Sequence, residues 1–216
     1  MIKAVIFDMD GVISDTQKIH ATVEANLFRE YGINITSDEI TKKYAGTPDK
    51  VCFAKIFEAH GLNIDVEAAL KIKWKRMMLL ASGGIDAIPG AIKLINDLKL
   101  AGLKLGVASS SPKNFIELVL AKLGIKEKFD AITSTQEVDR GKPNPDIFLL
   151  AAKKINIEPI ECVVIEDAMS GMIAAKAAGM ACVGLISDDR NYPADLSVTT
   201  LENLSVKHII NLSDAN

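Results

Sequence analysis

Short apolar runs that each end in polar residues alternate, over most of the chain, with stretches of helical spacing. Ala4-Val5-Ile6-Phe7 ends at Asp8, the run 103–108 ends at Ser109-Ser110-Ser111, Cys162-Val163-Val164-Ile165 ends at Glu166-Asp167, and the run 180–185 ends in a further polar segment. Continuous apolar runs of this length, bounded by polar or turn residues, predict buried strands. Between them the spacing predicts helices over 91–101, with Ile92, Ile95 and Leu98 on the buried face, and over 114–123, 145–155 and 170–178. Gly102, Gly124 and Gly179 stand where a helix end favours a left-handed residue. Strands alternating with helices imply βαβ units: an α/β fold with a doubly wound parallel-sheet core, whose ligands bind beyond the carboxyl ends of the strands.

The stretch 15–83 breaks this rhythm, because it carries helical patterns and no strand. Ile19, Val23 and Leu27 share a face before Gly32, and Ser37 can cap a short helix carrying Ile40 and Tyr44. Val51, Ala54 and Phe57 mark a third helix before Gly61; Ala69, Ile72 and Met77 mark a fourth before Gly83-Gly84. Lys73, Lys75 and Arg76, beside Trp74, read as a solvated helix face. The expected organisation is an α/β core from 1–14 and 84–216 with a helical insert over 15–83. After Tyr192 the pattern is weak, with Val206-Lys207-His208-Ile209-Ile210 as a terminal element.

Composition narrows the function classes. The 216 residues are 49% hydrophobic and 25% charged, ordinary for a globular chain and unlike a disordered one. Net charge is −3, from 25 basic and 28 acidic residues spread along the chain, so no electrostatic footprint for nucleic acid or an anionic membrane is present. No apolar stretch approaches the roughly 20 residues of a membrane span, and the first apolar run is too short for a signal peptide. A cytoplasmic monomer is expected. Cys52, Cys162 and Cys182 are widely separated and odd in number, which suits reduced core residues better than a disulfide framework or a zinc site.

The polar residues at the predicted strand ends form a chemical set: Asp8 and Asp10, then Ser109, then Lys142 in Gly141-Lys142-Pro143-Asn144-Pro145, then Glu166 and Asp167. Singly, each has an ordinary reading; Glu166-Asp167, for instance, could simply cap the helix that follows. Together the carboxylates supply hard oxygen ligands that suit Mg2+. A carboxylate approaching a phosphate dianion meets repulsion of several kcal/mol in a partly dry site, so a metal cation and Lys142 would be needed to neutralise it. Asp8 could then attack phosphorus, Asp10 act as acid and base, and Ser109 donate to the phosphoryl oxygens, with Ser110 or Ser111 able to share that part.

These residues resemble the motifs of the haloacid dehalogenase (HAD) superfamily, in the helical-cap subgroup of phosphatases and β-phosphoglucomutase-like enzymes. Asp8-Met9-Asp10-Gly11-Val12 is similar to the first motif, Ser109 to the second, Lys142 to the third and Glu166-Asp167 to the fourth. The resemblance implies a Rossmann-like core, and Mg2+ held by the Asp8 carboxylate, the Asp10 main-chain carbonyl and Asp167, with Glu166 close by. It also implies that the cap chooses the substrate, a small phosphorylated metabolite. His20 stands where the mutases carry a histidine, although a helix histidine is as readily packed or solvated. The cap loop of the mutases resembles Gly-x-Ser-Arg, whereas Gly46-Thr47-Pro48-Asp49-Lys50 lacks the arginine that grips a distal phosphate; Lys50 or Arg76 could substitute, but a point-charge lysine does not replace bidentate guanidinium recognition. Hydrolysis of a small monoester is therefore preferred, with a phosphomutase as alternative. A receiver-like signalling module is more remote, being nearer half this length and lacking the insert.

Overall fold

The computed structural model describes residues 1–214 apart from 45, 46, 187 and 189, and apart from the side chains of Thr41, Ser213 and Asp214. The chain divides into two compact units, Met1–Asp15 with Asp86–Asn216, and Thr16–Ile85.

The first unit is built on β1 (Ala4–Phe7), β2 (Lys104–Ser109), β3 (Ala131–Ser134), β4 (Cys162–Glu166), β5 (Ala181–Leu185) and β6 (Leu196–Val198). Among the described residues these make one six-stranded sheet in the order β3-β2-β1-β4-β5-β6, every neighbouring pair parallel. The predicted parallel α/β core is what the chain forms. Residues on both faces of the central strands are fully buried: Val5, Phe7, Leu105, Val107, Val163 and Ile165 on one, Ala4, Ile6, Ala108, Cys162 and Val164 on the other. Their β-branched side chains suit a pleated surface covered on both sides. The second face packs under α7 (Asp146–Ile155) and α8 (Met169–Ala177), through Ile147, Phe148, Ala151, Met172 and Ala175. The remaining helices of this unit are α5 (Ala91–Leu100), α6 (Lys113–Lys122) and α9 (Val206–Ile210).

Two strands escaped the hydrophobic pattern. β3 is only Ala-Ile-Thr-Ser with two residues half-buried, and β6 is three residues with none buried, so neither gives an apolar run. β3 is fixed instead by Asp130. Burial of the Asp130 carboxylate would raise its pKa, but bonds from Lys99 Nζ (2.7 Å), the Leu105 amide (2.9 Å) and Lys104 Nζ (3.1 Å) outweigh this and bring it down to about 2.

The second unit contains α1 (Gln17–Glu30), α2 (Ser37–Tyr44), α3 (Asp49–Ala59) and α4 (Val66–Gly83). Its core gathers Leu27 and Phe28 of α1, Phe53, Ile56 and Phe57 of α3 and Ala69 of α4, with the Phe28 and Phe53 rings 4.7 Å apart. Asp65 caps α4 by accepting from the amides of Glu67 (2.9 Å) and Ala68 (3.2 Å). The helix positions agree with the periodicity better than the faces do. Val51 and Ala54 of α3, Ile72 of α4 and Ile92 of α5 are exposed, and the buried sets are Cys52, Phe53, Ile56, Phe57; Ala69, Lys73, Met77, Ala81; and Ala91, Leu94, Ile95, Leu98.

The largest departure is Lys73, expected on a solvated face and in fact 0% exposed. Its ammonium lies 2.6 Å from Glu24 Oε1 and 2.7 Å from Asp49 Oδ2, and 5.0 Å from the centre of the Trp74 ring. Burial would lower its pKa, but Asp49 and Glu24 hold it above the ordinary value. One lysine thus ties α4 to α1 and to the first residue of α3.

Removing one partner of a buried ion cluster typically costs about 3–5 kcal/mol, because the other charges stay behind uncompensated. Lys73→Ala is expected to destabilise the helical unit by that order in denaturant melts, and Glu24→Gln with Asp49→Asn added to Lys73→Met to recover most of it; a loss below about 1 kcal/mol would show the cluster to be incidental. Asp130→Asn is expected to lower stability at neutral pH. Because the folded pKa lies below the ordinary 3.8, the difference from the parent chain should close as pH falls from about 4 towards about 2, read as paired thermal melts.

Candidate active site

Asp8 follows β1 directly, its amide donating to Ile165 O of β4 at 2.9 Å. The chain then turns sharply: the amides of Ile13 and Ser14 donate to Met9 O (2.9 and 3.0 Å), and Gly11 sits at φ +90°, a conformation that side chains resist. This winding keeps Asp8 buried and brings Asp10 to the same sheet end, half-buried.

Lys142, in the loop before α7, inserts its buried ammonium between β1, β2 and β4. It donates to Asp8 Oδ1 at 2.5 Å, to Glu166 Oε1 at 2.6 Å and to Ala108 O at 3.2 Å, with the Phe148 ring centre 5.0 Å away. Glu166 ends β4, and its other oxygen, Oε2, accepts from the Ala168 amide at 2.7 Å. α8 reaches this carboxylate closely enough that Gly171 is required: a Cβ there would lie 1.8 Å from Glu166 Oε1. Asp167 completes a group with Asp8 and Glu166 in which one oxygen of each lies within 4.8 Å of the others.

Three carboxylates facing one ammonium leave the group electrically short of cations. Burial, opposed by Lys142 and reinforced by Glu166, Asp167 and Asp10, pushes the Asp8 carboxyl well above the usual range. Burial acts against charge on Lys142 as well, but Asp8 and Glu166 outweigh it and keep the lysine protonated. The donor set is all oxygen and anionic, so Asp8, Glu166 and Asp167 could hold a hard divalent cation, which would supply the missing charge.

On the β2 side, Ser109 is buried and Ser110 exposed. Ser109 Oγ donates to Asp10 Oδ2 at 3.2 Å, and Ser111 Oγ donates to the same oxygen at 2.8 Å. Of the predicted residues, the structure therefore brings Asp8, Lys142, Glu166 and Asp167 together, and links Asp10 to Ser109. The Asp10 side chain lies outside the three-carboxylate group; the expectation for Asp10 as a ligand concerned its main-chain carbonyl. His20 and Thr47 belong to the helical unit, where the His20 ring stands edge-on to Trp74 with centres 5.4 Å apart and Thr47 is half-buried between α2 and α3. Gly46 lies outside the described residues. Sequence reasoning allowed Ser111 to share the part of Ser109 but did not pair it with Asp10, and it gave no role to Gly171, which nothing local signalled.

An acidic cluster around a buried lysine, at the carboxyl ends of a parallel sheet, stands where α/β enzymes bind their ligands. The chain belongs to the haloacid dehalogenase-like hydrolases, whose family model matches residues 5–185. It is 31% identical over 186 residues, 86% of each chain, to validoxylamine A 7'-phosphate phosphatase of Streptomyces hygroscopicus subsp. limoneus. It is 33% identical over 216 residues to β-phosphoglucomutase of Bacillus subtilis, covering 95% of this chain and 93% of that one. The crystal structure of β-phosphoglucomutase from Clostridium difficile superimposes with a TM-score of 0.87 at 32% identity, covering 100% of this chain and 98% of the other. Among the described residues no helix is long and apolar enough to cross a membrane.

Gly171→Ala is expected to push Glu166 off its two partners and, through it, to loosen Lys142. Thermal melts should show a loss of about 1–3 kcal/mol, and turnover should fall further than the loss of folded protein explains. Unchanged turnover would mean that the Glu166–Lys142 contact is not needed in the reaction.

Proposed function

We propose that the protein is a Mg2+-dependent phosphatase of a small phosphate monoester, a sugar phosphate by its relatives' chemistry, acting through an aspartyl phosphate on Asp8. The observation that carries this reading is Asp8 itself: a buried carboxylate at a strand end, bonded to Lys142, grouped with Glu166 and Asp167, and followed two residues later by a second carboxylate held apart on serine hydroxyls. In the first step an Asp8 oxygen attacks phosphorus, the bond to the leaving oxygen breaks, and Asp10 gives that oxygen its proton. In the second, Asp10 takes a proton from water as the water oxygen attacks phosphorus, and the bond to Asp8 breaks, returning the carboxylate and releasing phosphate. Mg2+ would be held by the Asp8 carboxylate, the Asp10 main-chain carbonyl and Asp167, with Glu166 close by, and would supply positive charge to the phosphoryl oxygens. Lys142 keeps Asp8 oriented and partly neutralised, and Ser109, with Ser110 beside it, donates to the phosphoryl group. His20, Gly46 and Thr47 are assigned to substrate binding.

Phosphomutase activity is the second reading, favoured by the 33% identity to a β-phosphoglucomutase and the 0.87 TM-score to another. Two cations that could replace the missing cap arginine are both engaged within the cap: Lys50 with Glu67 and Arg76 with Glu30, each at 2.7 Å. Asp49, next to Lys50, is committed to Lys73. These pairings support water as the acceptor.

A panel of sugar phosphates should release inorganic phosphate with Mg2+ and not with chelator, and Asp8→Asn should lower turnover by at least about a thousandfold. Metal-independent release, or an active Asp8→Asn enzyme, overturns the mechanism. Conversion of β-glucose 1-phosphate to glucose 6-phosphate with a trace of bisphosphate, and no free phosphate, would establish the mutase instead.

A further inference from the structure

We infer that Ser111 is the positioning residue of Asp10: it holds the carboxylate proposed as acid and base while Ser109 turns to the phosphoryl group. This deepens the proposed function and rests on it.

The argument starts from the number of protons. A serine hydroxyl has one proton to donate. Ser109 Oγ gives its proton to Asp10 Oδ2 (3.2 Å) and already accepts from the Ser111 amide (3.0 Å). When Ser109 donates to a phosphoryl oxygen instead, Asp10 loses that bond. Ser111 Oγ is the other donor to the same oxygen, and the nearer one, at 2.8 Å. A hydrogen bond to a carboxylate is about twice as strong as one between neutral groups, and this one restrains Asp10 Oδ2 from a buried hydroxyl.

Ser111 is built to stay where it is. It is 3% exposed, so its hydroxyl has little access to water as an alternative partner. Its carbonyl accepts from Ser134 Oγ at 2.7 Å, and Ser134, wholly buried at the end of β3, accepts in turn from the Gln136 amide at 3.2 Å. The Ser134 amide donates to Glu137 Oε1 at 3.0 Å, and Glu137 is held by Lys154 at 2.7 Å. A chain of bonds thus runs from the end of β3 to Asp10, and Ser111 needs no contact with substrate to matter.

A group that only positions a proton donor should show its loss where the proton is needed. An alkyl alkoxide leaving from a sugar phosphate needs Asp10's proton; p-nitrophenolate leaves without it. Ser111→Ala, in the full chain with Mg2+, is expected to lower kcat/KM on a sugar phosphate about tenfold more than on p-nitrophenyl phosphate, because kcat/KM reports the transfer to Asp8, whereas the later hydrolysis, in which Asp10 is the base, is common to both substrates. Asp10→Asn, measured alongside, should show the same split more strongly. Ser111→Cys conserves size but weakens the donor, should fall between, and carries the test if the alanine variant does not fold. An equal loss on both substrates in the Ser111 variants, with the split present in Asp10→Asn, overturns the inference and leaves the mechanism standing. No split in Asp10→Asn overturns the acid assignment, and the inference with it.

Discussion

Lys142 is the contact on which the site depends. Its ammonium joins the end of β1, through Asp8, to the end of β4, through Glu166, and also meets the β2 carbonyl of Ala108. Two buried carboxylates at neighbouring strand ends would repel strongly in a low-dielectric interior, and a buried lysine without them would lose its proton. Each charge is tolerable only because the others are present. The arrangement is still one cation for three carboxylates, an imbalance that suits the group to a further positive charge.

The same device occurs in the helical unit. Lys73 is buried between Glu24 and Asp49, and joins α4 to α1 and α3 as Lys142 joins the loop before α7 to the strands. Buried ion groups of this kind add little net stability over an apolar core, but they admit few alternative packings, because any slip strands a charge. In the sheet unit this specificity holds the residues of the proposed site. In the helical unit it fixes the start of α3, two residues after Thr47.

Close approach is the second constraint. Glu166 can occupy its place only because residue 171 has no side chain, and it is held there by an amide two residues along its own chain as well as by Lys142. Asp10 is held in a comparable way from the opposite side, by hydroxyls of a loop that is itself secured to β3. One of the two short strands that escape the hydrophobic pattern, β3, therefore stands behind Asp10.

The sequence by itself determined the strands with unbroken apolar runs, the helices between them, the parallel α/β architecture and the polar residues at the strand ends, because these depend on local periodicity and on where an apolar run stops. It did not determine β3 and β6, whose few half-buried residues form strands only when a neighbouring edge supplies hydrogen-bond partners. Helix faces were legible to within about one position, since Ile72 or Ile92 suits the apolar stripe as well as its neighbours until packing chooses. Lys73 could not be read as buried, because a lysine is solvated by default and only two carboxylates from distant helices make its burial affordable. Ser109 stood out in the sequence only as the first polar residue after the apolar run, with Ser110 and Ser111 able to share its part. Only the tertiary structure separates them, leaving one exposed and turning the other two onto one oxygen of Asp10.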